Sequence, residues 1–120
     1  MKQYACLIMD IENSKKYDVS ERNEIQQYMN QCINNLNGLF HEDIQFEVTF
    51  SAGDELQGLF DNVVTALLYF RLFEILMAPV KIRAGIGVGD WTVKMENGLS
   101  TQQDGSAYHH AREAIDKVHG

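Results

Sequence analysis

Apolar positions in this chain change period several times, and each change marks an element. Tyr4 to Met9 is a continuous apolar run that stops at Asp10, the pattern of a strand buried on both faces and therefore central in a sheet. The stretch 12–19 is polar and reads as a loop. Ser20 then stands as a helix N-cap, with Glu21 and Glu24 in a first turn that favours carboxylates. Ile25, Tyr28, Met29, Cys32, Ile33 and Leu36 follow at spacings of three and four. That is the stripe of an amphipathic helix, expected to stop near Asn37-Gly38. Phe46, Val48 and Phe50 alternate with Gln45, Glu47 and Thr49, which predicts a half-buried strand. Gly53-Asp54 makes a turn, and Leu56 and Phe60 continue the pattern on the return strand.

Asp61 is read as the cap of a second helix. Its residues 63–76 are apolar nearly all round, as in a helix buried on more than one side. In so short a chain the surplus face implies a partner subunit. Pro79 ends that helix. Ile82, Ala84, Ile86 and Val88 then alternate with Arg83, Gly85, Gly87 and Gly89. One face of this strand is apolar, and the other is almost bare backbone, a sign that another backbone or a ligand approaches closely. Trp91, Val93 and Met95 alternate again, and Trp91 is expected to pack on the sheet. Asn97-Gly98 is a hairpin turn signal. Ala107, Ala111, Ala114, Ile115 and Val118 stripe a last helix from Ser106 to Val118.

The order is strand, helix, strand, strand, helix, strand, then a hairpin and a helix. The fold class is α+β, with the first six elements matching a ferredoxin-like βαββαβ unit. In that topology the first strand neighbours the central hairpin, so Asp10 and Asp54 fall at the same sheet edge.

Composition narrows the chemistry. A chain of 120 residues, 45% hydrophobic and with one proline, is expected to be one globular domain. Its net charge of -7 argues against direct nucleic-acid binding through phosphate neutralisation. A nucleotide stays open, because bound Mg²⁺ reverses the local charge logic. Cys6 and Cys32 form no CxxC, and the four histidines complete no zinc pattern. They read as reduced, buried thiols of a cytoplasmic protein. The apolar N-terminal run is too short to span a membrane.

Two carboxylates at adjacent strand ends, Asp10 and Asp54, can share Mg²⁺ or Mn²⁺, which take oxygen ligands and bridge to phosphates. The Ile11 carbonyl adds a further oxygen, with Glu55 and Glu12 behind it. Acidic residues also commonly end strands and occupy turns, so spacing alone leaves both readings open. Lys15, with Asn13 and Ser14, follows the first strand where phosphates would emerge, and Gly53 lies in the acidic turn. Before the last helix, Asp104-Gly105 offers two readings. Either the N–H groups of Ser106 and Ala107 face an anion, or Asp104 is an ordinary cap. His109, His110 and Arg112 fall on the non-core side of that helix.

At these residues the chain resembles the class III nucleotidyl cyclase superfamily, whose palm fold is shared with diguanylate cyclases. Leu7-Ile8-Met9-Asp10-Ile11 resembles the first metal-binding strand, and Ser51-Ala52-Gly53-Asp54-Glu55-Leu56 the hairpin with the second metal aspartate. Residues 82–89 resemble the glycine-patterned strand, and Asp104-Gly105-Ser106-Ala107 through Arg112 the opening of the last catalytic helix. More closely, the chain resembles the SatD family. The matching pieces are Asp10-Ile11-Glu12-Asn13-Ser14, the stretch Ser51 to Gly58, Ile82 to Gly89, and Asp104-Gly105-Ser106-Ala107 with Ala111-Arg112-Glu113-Ala114-Ile115. The resemblance implies a metal-dependent nucleotide-handling palm domain with a regulatory role, extending to cyclase or transferase chemistry on a nucleoside triphosphate. Asp10, Asp54 and Arg112 would then be catalytic, and the domain a homodimer with a C-terminal regulatory domain outside this chain. The alternative is a catalytically inactive nucleotide-sensing or dimerisation module of a bacterial regulatory protein. The chain departs from cyclases at three places. Phe50 stands where they carry a base-selecting lysine, His109 where they carry an asparagine, and Glu113 where they carry an arginine, with Arg112 one residue away.

Overall fold

A computed structural model describes residues 2–96 and 99–119. The elements follow in the order β1 (Tyr4–Ile11), α1 (Val19–Leu39), β2 (Ile44–Ala52), β3 (Glu55–Phe60), α2 (Val63–Met77), β4 (Ile82–Gly89), β5 (Thr92–Glu96), β6 (Leu99–Asp104) and α3 (Ser106–His119). The first four strands form one sheet in the order β2-β3-β1-β4, and β5 and β6 form a separate two-stranded ribbon. Neighbours in the main sheet are all antiparallel. This is the expected α+β, ferredoxin-like βαββαβ palm with an added hairpin and helix. The turn expected at Asn97-Gly98 lies outside the described residues.

Central β1 explains its own sequence. Strand side chains alternate between faces, so both faces must be apolar. Ala5, Leu7, Met9 and Ile11 point into a core with Met29, Cys32, Ile33 and Leu36 of α1 and Ala66, Tyr69 and Phe73 of α2. Cys6 and Ile8 point the other way, into a smaller core with Leu59 and with Ala107, Ala111 and Ile115 of α3. Both cysteines are buried and free, as expected, and burial pushes the Cys6 thiol up to about 12.

The bare face of β4 is explained by α3. A Cβ at Gly85 would stand 2.5 Å from the Ala111 carbonyl oxygen, and one at Gly87 2.2 Å from the Ala111 nitrogen. The close approach is therefore that of a helix backbone, with alanines on the facing side. Trp91 packs edge-on against Tyr4 and Phe46, at 5.5 and 5.0 Å between ring centroids.

Four local expectations are corrected. α1 begins earlier, because Asp18 and not Ser20 is its N-cap. Asp18 and Glu21 make a reciprocal capping box, each side chain accepting from the other's backbone N–H. α1 also continues through Asn37-Gly38. Asn37 is buried there, giving and taking hydrogen bonds with the Val48 backbone at 3.0 and 3.1 Å. Asn62 caps α2 in place of Asp61, accepting from the Thr65 N–H at 2.8 Å, while Asp61 accepts from Lys2 and Gln45. β2 does not keep simple alternation. Its register slips between Phe46 and Thr49, so Phe46 joins the α3-side core, Val48 the opposite one, and Phe50 is exposed.

Candidate functional site

The end of β1 and the β2–β3 hairpin build one open cleft of about 510 Å³, lined by Asp10, Ile11, Asn13, Ser14, Lys15, Ala52, Asp54, Glu55 and Arg83. That is a usual volume for a small-ligand site. Topology brings the two acidic segments together, since β1 lies between β3 and β4. Met9 pairs with Leu56, and Asp10 and Glu55 stand one residue beyond. Gly53 and Asp54 form the two-residue hairpin loop between paired Ala52 and Glu55. Gly53 takes φ +55, a conformation glycine adopts without strain. After β1, Asn13 also takes positive φ, 56°, and turns the chain into a short 3₁₀ turn, Ser14–Lys16, which carries Lys15.

Each carboxylate has a partner. Asp54 accepts from the Gln26 side-chain amide of α1. Glu55, its neighbour, points to the other side of the sheet and accepts both guanidinium nitrogens of Arg112 from α3, at 2.7 and 2.8 Å. This bidentate pair holds Arg112 above the usual arginine range, chiefly through its hydrogen bond to Glu55. Asp10 is paired with Arg83, its direct cross-strand partner in β4. Arg83 Nε donates to Asp10 Oδ1 at 3.1 Å, and Nη2 donates to the Ile11 carbonyl at 3.4 Å.

Of the residues expected to hold metal or phosphate, Asp10, Ile11, Asn13, Ser14, Lys15, Asp54 and Glu55 line the cleft together. Gly53 lies in the loop between the lining residues Ala52 and Asp54. Arg112 is not a lining residue and reaches the site only through Glu55. Gly105 is elsewhere. A Cβ there would meet the Asp90 and Trp91 backbone, at the Gly89 end of β4, about 20 Å of strand from Arg83 at roughly 3.3 Å per residue. The N–H groups expected to face an anion there are taken. Ser106 N donates to the Asp90 carboxylate at 2.7 Å and Ala107 N to the Asp90 carbonyl at 3.1 Å. Asp90 thus does the capping expected of Asp104, whose side chain lies outside the described residues. Glu12 faces a different depression, with Glu74 and Lys81.

Two residues of the site went unread in the sequence, Arg83 and Gln26. A lone arginine facing glycines in a strand, and a glutamine on a helix surface, look like solvent-facing residues until the register is known.

The donor set suits a hard cation. Two carboxylates and a backbone carbonyl are oxygen ligands of the type Mg²⁺ takes, and Mg²⁺ usually needs only one or two carboxylates beside water and phosphate. Among the described residues no three His, Cys, Asp or Glu side chains gather into an all-protein cage. No helix among them is long and apolar enough to cross a membrane.

A family model described as the SatD family matches residues 4–120. A search of curated proteins returns no match. Among solved structures, the chain is similar to the monomeric guanylyl cyclase domain of the RhoGC fusion protein from the aquatic fungus Blastocladiella emersonii, with TM-score 0.75 and 13% identity over 96% of this chain and 73% of that one. An adenylate cyclase from Trypanosoma brucei in its monomeric state gives TM-score 0.75 and 10% identity over 96% and 68%. The guanylyl cyclase Cya2 gives 0.68 and 13% over 96% and 70%. At such identities the likeness is one of fold, a nucleotidyl cyclase-like palm.

Proposed function

Because the chain belongs to the SatD family and its palm gathers oxygen ligands in one cleft, we propose that it is a metal-dependent nucleotide-handling domain with a regulatory role. The observation that carries this reading is the convergence of Asp10, the Ile11 carbonyl and Asp54 with Lys15 on one cleft of nucleotide size. Asp10, Ile11 and Asp54 would hold Mg²⁺ or Mn²⁺. When bound, such an ion neutralises phosphate charge and polarises a reacting oxygen. Asn13, Ser14 and Lys15 lie beside the acidic ligands and would receive the phosphates.

Nucleotide binding is better supported than turnover. By the resemblance to cyclases, Phe50, His109 and Glu113 stand where base selection and charge stabilisation would need a lysine, an asparagine and an arginine. Arg112, the available substitute, is held by both its terminal nitrogens on Glu55. Cyclase or transferase chemistry therefore requires Arg112 to leave Glu55, whereas sensing does not.

The test is a melting-temperature screen with each nucleoside triphosphate and Mn²⁺, alongside pyrophosphate release. At least one nucleotide should raise the melting temperature by several degrees when far above its Kd. Asp54→Ala and Asp10→Ala should each abolish that shift. A flat screen with all four triphosphates refutes the nucleotide reading, and pyrophosphate release separates an enzyme from a sensor.

A second reading, a homodimerisation module, is supported by the outward face of α2. Val64, Leu68 and Ile75 there are 63%, 51% and 69% exposed, an apolar row of the kind that marks an interaction surface. It is compatible with the first.

A further inference from the structure

Two of the three oxygens assigned to the metal are already in contact with a cation of the chain itself. Arg83 Nε sits on Asp10 Oδ1 and Nη2 on the Ile11 carbonyl. The contact follows from the sheet. Asp10 and Arg83 are register partners on the face that carries α3, and directly opposed side chains of opposite charge attract. α3 covers Gly85, Gly87 and Gly89 and leaves Arg83 lining the cleft. Both side chains are largely withdrawn from water, at 19% and 16% exposure, so the pair is poorly screened.

From this geometry, and resting on the metal reading above, we infer that Arg83 is a resident cation that gates the metal site. A guanidinium and a divalent ion repel each other and compete for the same oxygens. Arg83 must swing off Asp10 and Ile11 before the ion is held there. The departing guanidinium needs an anion to replace the carboxylate it loses. The cleft that it lines together with Lys15 is where a polyphosphate would supply one. Metal affinity is thereby tied to the presence of phosphate, a reciprocal coupling between two ligands of one cleft. Free divalent ions alone are kept out.

The test is Mn²⁺ binding to the full chain by calorimetry, without nucleotide, in wild type and Arg83→Gln. Arg83→Gln should bind Mn²⁺ at least tenfold more tightly than wild type, and adding Asp10→Asn should cancel the gain. Inorganic triphosphate, in excess Mn²⁺, should bind Arg83→Gln more weakly than wild type. Arg83→Lys keeps the charge but cannot span both oxygens, and should bind Mn²⁺ between the two. It carries the test if Arg83→Gln fails to fold. Equal or weaker Mn²⁺ binding in the Arg83 variants, with wild type binding measurably, overturns the gate and leaves the Asp10–Asp54 metal site standing. No Mn²⁺ binding in any variant overturns both.

Discussion

Asn37 makes the strongest single-residue prediction. It sits in the last turn of α1, buried, and its amide exchanges two hydrogen bonds with Val48 where β2 slips register. Its oxygen also accepts the Tyr69 hydroxyl at 2.9 Å, and burial raises the Tyr69 pKa above the usual tyrosine range. A bulge frees backbone groups, and Asn37 satisfies them from the helix. Asn37→Ala leaves several buried groups unpaired and is expected to cost about 3 kcal/mol in urea unfolding. A loss below about 1 kcal/mol would show that water takes its place. An asparagine followed by glycine looks like a helix stop because both favour helix ends in isolated chain. Only the tertiary partner reveals the opposite role. Asp18 is more legible, since Asp18-x-x-Glu21 is itself a capping-box pattern. The acidic half of the site is readable because Asp10 closes an apolar run and Asp54 follows a glycine in the turn between two strands. Its basic half is not, because Arg83 acquires meaning only through the Asp10–Arg83 register.

At the scale of elements, identical substitutions are expected to have opposite signs. Gly38 lies inside α1 with nothing within 4 Å of where a Cβ would stand, whereas a Cβ at Gly87 meets the α3 backbone at 2.2 and 2.3 Å. Gly38→Ala should therefore stabilise by about 0.5 kcal/mol, through lower unfolded-chain entropy. Gly87→Ala should destabilise by about 2 kcal/mol as α3 is forced outward. Equilibrium denaturation of the two variants checks both signs, and equal effects would mean α3 is not held where it lies. The element order, the sheet's central strand and the glycine face are all legible, because strong periodicity survives any tertiary context. The slip in β2 is not, since a bulge depends on what the opposite strand and helix demand.

For the whole molecule, α2 divides the apolar residues between two uses. Tyr69 and Phe73 fill the core, while Val64, Leu67, Leu68 and Ile75 remain outside. The all-round apolar pattern thus resolves into two faces, one of them without a covering element among the described residues. If that face pairs two copies, wild type should sediment as a dimer at high concentration, and Leu68→Lys as a monomer that keeps its circular dichroism spectrum and melts at a temperature independent of concentration. A monomeric wild type would remove the dimerisation reading. The contact of β4 with α3 has a different consequence, best seen as two rulers laid side by side. Alternate glycines along a strand are about 6.7 Å apart, and every fourth helix residue about 6.0 Å. Gly89, Gly87 and Gly85 accordingly meet Ser106 and Ala107, then Ala107 and Ala111, then Ala111 and Ile115. The two spacings stay in step over this short span and mesh like teeth. A helix meshed in this way slides by a whole notch or stays put. Short of a whole-notch slide, a signal that frees Arg112 from Glu55 therefore travels through the swing of a side chain, with α3 itself holding still.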